Sequence, residues 1–418
     1  MNISKFISER VLVGNKVVWT ILFLLLSISM IEVYSASSNM TYQSNAFWRP
    51  VMGHTMMIAI GVAACCVIAR LNMTVLKLVA ALGNFFSIFL LLCALFIGER
   101  VNGATRWVFG LQPSEVAKGI LVMTIALILS KTIDVNTKRV SMNGVKACLA
   151  ITFVNCALIA PENLSTAGLT FLVVFLMMFV GQVSLRVLAA IIGPIIIVGG
   201  LGLAFMKTTP METIKSISEI TIAGGQPLHR LPTWANRLRS DDGVYSAANY
   251  PINDHLQVAH AKIAIATSGI WGCGPGNSVE RDYLPQAFSD FIFAIIIEEL
   301  GLAGGIFVLL LYIALLFQVG SISRQCTERF PQLLSMGLAM LIVSQALFNL
   351  GVAVGLLPVT GQQLPLVSRG GTGIILNCCY IGMILATSRA AMKTETEQTN
   401  DTTEQETIEQ DTTDESNN

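Results

Sequence analysis

Residues 75–97 read VLKLVAALGNFFSIFLLLCALFI, with Lys77 the one charge in the stretch. A helix of about 20 apolar residues rises about 30 Å, the thickness of a bilayer's hydrocarbon core, and a helix satisfies its own backbone there. Outward from this run, comparable ones begin near Val17, Val51, Pro113, Val145, Ala167, Ser184, Asp290, Pro331 and Val367. Those at Val145 and Ala167 are short and crowded together. The pattern predicts an all-α, polytopic integral membrane protein of about ten transmembrane helices. Composition agrees, since 53% of the 418 residues are hydrophobic and 12% charged, a balance that water-soluble domains rarely reach. A net charge of zero and no basic domain exclude nucleic acid as a partner. The nine cysteines, with pairs at Cys65/Cys66 and Cys378/Cys379 inside apolar runs, lack the spacing of a metal or redox site and read as small hydrophobes.

Residues 1–16 are amphipathic and carry Lys5, Arg10 and Lys16 ahead of an apolar run without a small-residue cleavage site, which predicts a retained first span. With that terminus inside, the 131–146 connection holds Lys131, Lys138, Arg139 and Lys146, whereas the short outer loops hold only Arg49, Arg100 and Arg106. The positive-inside rule then places both termini in the cytoplasm. It also places a long loop, about 207–289, on the extracytoplasmic side between spans seven and eight. That loop gathers Arg230, Arg237, Arg239, Lys262 and Arg281 with Asp241, Asp242, Asp254, Glu280 and Asp282. Its part from Leu256 to Trp271 has a helical pattern followed by Gly272, Gly274 and Gly276, so order is expected. The membrane domain covers 17–393, and 394–418 is expected to be a disordered acidic cytoplasmic tail, being almost entirely Thr, Glu, Asp, Gln, Asn and Ser. No internal repeat is visible, which weighs against an inverted-repeat transporter.

Charged residues near the span ends carry two readings each. Lys118, five residues into the fourth span, costs ~2.5–3.5 kcal/mol at full depth and less nearer the surface. Glu115 lies three residues earlier on the same helical face, giving either an ion pair or a lysine poised for an anion. Asp290 opens the eighth span as an N-cap or a base. Arg106 and Trp107 form a snorkelling anchor or a contact to phosphate and sugar. Glu162 occupies a very short turn, as a solvated charge or a functional acid. Glu298 and Glu299, two turns inside the eighth span, must be protonated or bonded to neighbours, and are expected to organise the bundle. Ser368-Arg369-Gly370-Gly371 is a helix break or a helix N-terminus with an arginine aimed at an anion.

Three motifs resemble one family, the SEDS proteins (shape, elongation, division and sporulation), over most of the chain from the third span onward. The first is Asn102-Gly103-Ala104-Thr105-Arg106-Trp107 with Gln112-Pro113-Ser114-Glu115 and Lys118. The second runs from Gln257 and Lys262-Ile263-Ala264-Ile265 through Ser268-Gly269, Gly272, Gly274, Gly276, Ser278 and Tyr283-Leu284-Pro285. It ends at Asp290-Phe291-Ile292-Phe293-Ala294 and Glu298-Glu299-Leu300-Gly301. The third is Pro358, Thr360-Gly361, Leu364-Pro365, Ser368 and Gly370-Gly371. Departures mark a divergent branch: Pro161-Glu162-Asn163-Leu164-Ser165-Thr166 stands for a usual Pro-Asp-Leu-Gly-Thr, Phe288 for a His, Gln286 for a Glu and Arg369 for a Tyr.

The resemblance implies a glycosyltransferase that polymerises lipid II with inversion at the anomeric carbon and release of undecaprenyl diphosphate. Such a reaction calls for a base on the attacking hydroxyl and cations on the diphosphate. It implies Asp290 as catalytic base, and Arg106, Trp107, Lys118, Glu115, Glu162, Gln257, Lys262, Ser368 and Arg369 as substrate-binding residues. A divalent cation, Mg or Mn, could assist the leaving group, but no carboxylate cluster fixes a site, so neither a metal site nor another cofactor is assigned. The resemblance further implies a class B penicillin-binding protein (a transpeptidase) and other division proteins as partners. It places the chain in the cytoplasmic (inner) membrane with its active site facing outward. Overall length and the cytoplasmic tail favour the division branch over the elongation branch. A lipid-linked precursor flippase, in which the buried charges would line a path across the bilayer, and a non-catalytic scaffold of the division machinery, which should tolerate loss of Asp290, remain as alternatives.

Overall fold

The computed structural model describes residues 12–43, 48–97, 99–101, 104–108, 110–134, 139–219, 231–239, 256–284, 290–369 and 371–392, of which 36–43, 48–50, 99–101, 104–107, 236–239 and 256 are described as backbone only. Among them, nine helices are long and apolar enough to cross a membrane. They are α1 Lys16–Gln43, α2 Trp48–Ile68, α3 Met73–Ile97, α4 Pro113–Lys131, α5 Met142–Ile159, α7 Leu185–Thr208, α11 Ile292–Gln325, α12 Arg329–Ala353 and α13 Thr372–Met392. A tenth apolar helix, α6 Leu164–Val180, has 17 residues, at the short end of the crossing range. The chain is thus a multi-pass membrane protein. The fold is not purely helical, because Glu99–Val101 (β1) and Ala104–Trp107 (β2) pair antiparallel. Asn102 and Gly103, which join them in sequence, form the dipeptide most favoured in two-residue hairpin loops.

The long segment after α7 contains α8 Met211–Ser218, α9 Leu231–Arg239, α10 Leu256–Thr267 and a 3-10 turn, Glu280–Tyr283. Ile214, Leu231 and Ala235 pack with Met206, Ile217 and Trp234, joining the end of α7 to α8 and α9. Much of the 207–289 loop read from sequence is therefore helical; 220–230, 240–255 and 285–289 lie outside the described residues, as does the acidic tail.

Two span starts differ from the sequence reading. α13 begins at Thr372 and not near Val367, because Leu364, Leu366 and Val367 are buried in a turn closed by Val367 N–H and Ser368 N–H to Leu364 O. Their apolar character fills the core without a helix. α11 begins at Ile292, and it is interrupted: Gly301 has φ 74° and ψ 179°. The loop 269–274 enters this break. Leu302 and Ala303 donate to the carbonyls of Gly269 and Ile270 (3.1 and 3.2 Å), while Cys273 and Gly274 donate to those of Glu298 and Glu299 (3.0 and 2.9 Å). The backbone groups freed by the break are thus paired, as a break inside a membrane bundle requires. A Cβ on Gly301 would lie 2.1 Å from Ile270 O and one on Gly272 2.3 Å from Glu299 O, which explains both glycines. Gly272 and Gly274 of the glycine run lie in this inserted loop.

α12 lies at the centre, packed against α4, α6 and α11, with α4 and α13 also largely buried. Consecutive spans alternate in direction, so one end of the bundle gathers the C-termini of α1, α3, α5 and α12, the N-termini of α4, α6, α11 and α13, and the helices α8, α9 and α10. The opposite end carries Arg70, Lys77, Lys131, Arg139, Arg324 and Arg389, where Lys77 pairs with Glu328 at 2.6 Å and Arg389 donates to Leu71 O.

Candidate active site

Residues 357–369 cross the bundle as irregular backbone, and the polar side chains of otherwise apolar spans point at it. Asn349 on α12 donates to Gln362 O (2.7 Å) and Gln345, one turn earlier, to Gln363 O (3.1 Å). Tyr312 on α11 donates to Pro365 O (2.5 Å), and Ser29 on α1 to Val367 O (2.7 Å). Four spanning side chains therefore satisfy four carbonyls that no helix serves. Ser29 has spent its only proton on Val367, so its contact with His54 Nε2 (2.9 Å) requires the imidazole to donate. Leu366, buried with φ 66°, holds the left-handed conformation that a bulky side chain disfavours, strain that these bonds fix in place.

Asp290 lies beside this segment. Its carbonyl accepts from Asn349 Nδ2 (2.8 Å), and a Cβ on Gly361 would sit 3.5 Å from its Oδ2, so the Gly361 backbone faces the carboxylate. The N-cap of α11 is Phe291, with no side-chain capping bond. Asp290 thus stands two residues before the first helical residue, Ile292, and next to the N-cap.

Lys118 is fully buried, its Nζ 2.8 Å from Glu115 Oε1 and 2.9 Å from Gln345 Oε1. The ion-pair reading is the one the structure adopts, and Gln345 joins the lysine to Gln363. Tyr380 on α13 donates to Glu115 O (2.7 Å) and packs on Gly119. Asn163 caps α6, accepting from Thr166 N–H (3.1 Å), which is the local use of the asparagine where an acid was expected. Glu162 lines a small cleft with Leu91, Ala94, Pro113, Ser114 and Ile159. The hairpin β1–β2 packs against α3 and α4 at the same end. It carries Arg106 and Trp107, whose side chains lie outside the described residues.

The other candidates divide. Ser368 is buried and its hydroxyl accepts from Leu364 N–H (2.7 Å), a turn-closing role. Arg369 is half-buried and close enough for its charge to act on His54. Gln257 is half-buried on α10, and Lys262 is exposed with its Cε against Gly355 beyond the end of α12. The structure thus brings Asp290, Lys118 and Glu115 into one hydrogen-bonded framework through Asn349 and Gln345, and leaves Lys262 and Gln257 on its periphery. Among the described residues, no group of three or more His, Cys, Asp or Glu could hold a metal ion.

A second buried cluster was missed in sequence. Glu299 accepts from Ser35 of α1 and lies 3.6 Å from Arg281, whose guanidinium also donates to Ser35 O (2.7 Å) and Ser35 Oγ (2.8 Å). Glu298 accepts from Ser278 Oγ (2.5 Å) and from the N–H groups of Val279 (2.9 Å) and Glu280 (3.2 Å). Both acids organise the bundle, as expected of them. Glu32, fully buried on α1, feels the charges of Glu299 and Arg281, and neither of its oxygens has a hydrogen-bond partner among the described residues. The signal was available: Glu32 is an acid inside an apolar run, and Gln345 and Asn349 are amides four apart in another.

Comparison with known proteins covers nearly the whole chain. The FtsW/RodA/SpoVE family model, described as cell cycle protein, matches residues 15–393. A probable peptidoglycan glycosyltransferase FtsW of Hahella chejuensis is 32% identical over 395 residues, 89% of each chain. A protein of the same name from Aliivibrio salmonicida is 28% identical over 391 residues, 90% of this chain and 89% of that one. Among solved structures, a chain from a peptidoglycan synthase complex that coordinates polymerization and crosslinking aligns with a TM-score of 0.68 at 21% identity, covering 90% of this chain and 98% of that chain. The rod shape determining protein RodA of Thermus thermophilus aligns with a TM-score of 0.61 at 20% identity, covering 90% and 97%. These two likenesses concern the fold.

Proposed function

The chain belongs to the FtsW/RodA/SpoVE family of cell cycle proteins, and from that premise we propose that it is a peptidoglycan glycosyltransferase acting in cell division. It polymerises lipid II into glycan strands with release of undecaprenyl diphosphate. The observation that carries this reading is the Asp290 carboxylate, set against the Gly361 backbone at the end of the bundle opposite its ring of cations. Inversion at the anomeric carbon needs a base on the attacking sugar hydroxyl, and Asp290 takes that role. As the hydroxyl oxygen bonds to the anomeric carbon, its proton passes to Asp290 and the diphosphate leaves with the bonding electrons. Arg106 and Arg369 receive the diphosphate, and Trp107 offers an apolar face to sugar or prenyl chain. Lys118, held by Glu115 and Gln345, acts through its field and through the segment it braces. Glu162 and its apolar cleft take part of the lipid-linked substrate.

The cationic end faces the cytoplasm, by the same asymmetry that governs spanning proteins generally. The site then opens on the outer face of the cytoplasmic (inner) membrane, where a transpeptidase of the class B penicillin-binding type cross-links the strands. Purified protein in detergent, given lipid II, is expected to form glycan strands, and Asp290→Asn to form none while remaining folded. Strand synthesis by the variant would overturn the assignment. A flippase or scaffold would show no synthesis by the wild type, because neither role includes glycosyl transfer.

A further inference from the structure

Resting on that reading, we propose that Asn349 is a positioning residue of the reaction, one that holds the backbone of the base Asp290 and the segment facing it in a single frame. Satisfying irregular backbone explains Gln345, Tyr312 and Ser29, each of which gives one hydrogen bond to the 357–369 segment. Asn349 does more. Its Nδ2 carries two protons and donates one to Gln362 O and the other to Asp290 O, so a single planar amide sets the distance between them. Gly361, the neighbour of Gln362, faces the Asp290 carboxylate. Gln362 is itself fixed through its Nε2 to Thr166 Oγ1 on α6 (2.7 Å). A continuous path of hydrogen bonds therefore runs from α6 through Gln362 and Asn349 to Asp290.

The far side of the same amides is left open. Asn349 Oδ1, Gln362 Oε1 and Thr360 Oγ1 are buried without a hydrogen-bond partner among the described residues. An unmet buried acceptor costs about 1–3 kcal/mol, so stability alone does not account for this arrangement. Two amides that commit their N–H groups to the protein while their carbonyls wait beside a base suit a ligand rich in hydroxyl donors, the chemistry of a sugar acceptor.

The test compares Asn349→Ala and the isosteric Asn349→Asp with the wild type and with Leu347→Ala, a change on the exposed face of α12. Each is measured for lipid II turnover, KM and thermal unfolding in detergent. Asn349→Ala is expected to lower kcat by about a hundredfold, the loss that misplacement by about 1 Å produces, with KM within about threefold. Asn349→Asp leaves no cavity, and its carboxyl, neutral when buried against two carbonyls, can donate to only one of them. It is expected to lower kcat with KM again within about threefold, because no single group then spans both carbonyls. Leu347→Ala should match the wild type. Wild-type kcat in either Asn349 variant, or a loss confined to KM, overturns the proposal. Absence of polymerisation by the wild type would instead overturn the function it rests on.

Discussion

Two polar clusters lie at the same end of the bundle and are built on opposite terms. Around α12, neutral amides spend their donors on backbone carbonyls, and the single buried cation, Lys118, has both a carboxylate and an amide oxygen. Between α1 and α11, the buried Glu299 lies 3.6 Å from the Arg281 guanidinium, and the buried Glu32, close enough to feel both charges, lacks any hydrogen-bond partner among the described residues. The first arrangement fixes geometry with neutral amides around one matched ion pair, which suits a site where a proton must move. The second holds the 3-10 turn of the long segment onto α1 through charge and is poorly balanced. The difference teaches that burial of polar groups has separate purposes within one molecule: the acceptors left unmet among the described residues are neutral around α12 (Asn349, Gln362, Thr360) and carboxylate oxygens beside α1 (Glu32, Glu299).

The comparison breaks most readily at Arg281. Arg281→Ala leaves Glu299 and Glu32 buried without a cation and is expected to destabilise by about 3–5 kcal/mol, as loss of one partner of a buried pair does. Thermal unfolding in detergent measures this, and a change under about 1 kcal/mol would show that the cluster is not a fastening. Glu32→Met goes the other way. Removing an unmatched buried carboxylate for an apolar side chain of similar size should raise the unfolding temperature, by an amount worth about 1–3 kcal/mol. A lowered temperature would mean that Glu32 has a favourable partner after all. The smallest effect lies at Cys273, exposed on the loop that enters the α11 break. Partial burial and the carboxylates of Glu298 and Glu299 hold its thiol above the ordinary range. Maleimide labelling near neutral pH should therefore be slower than for a free thiol, since the thiolate is the nucleophile, and Glu298→Gln should quicken it.

The ten apolar helices and the ends they share were legible in sequence, because a bilayer leaves hydropathy almost no alternative meaning. Asp290, Lys118 and Glu115 were legible as residues, yet not their connections: the amides that join them are distant in sequence and bond to backbone, which carries no side-chain signature. The start of α13 was misread for a related reason. Leu364, Leu366 and Val367 are as apolar as a span, but Pro365 and the positive φ of Leu366 keep them in a turn. The break in α11 was hidden in a different way, since Gly301 alone does not predict interruption. Only the insertion of Gly269–Gly274 makes it stable.

The central claim is that the amide framework serves the chemistry and the charged cluster serves the fold. Turnover of lipid II per folded molecule, measured together with the unfolding temperature for Asn349→Asp and Arg281→Ala, tests it most directly. The account predicts that Asn349→Asp loses most of its turnover while unfolding within a few degrees of the wild type. It predicts that Arg281→Ala unfolds far lower while its folded fraction keeps turnover near normal. The reverse pattern, or equal loss of both properties in both variants, would contradict it.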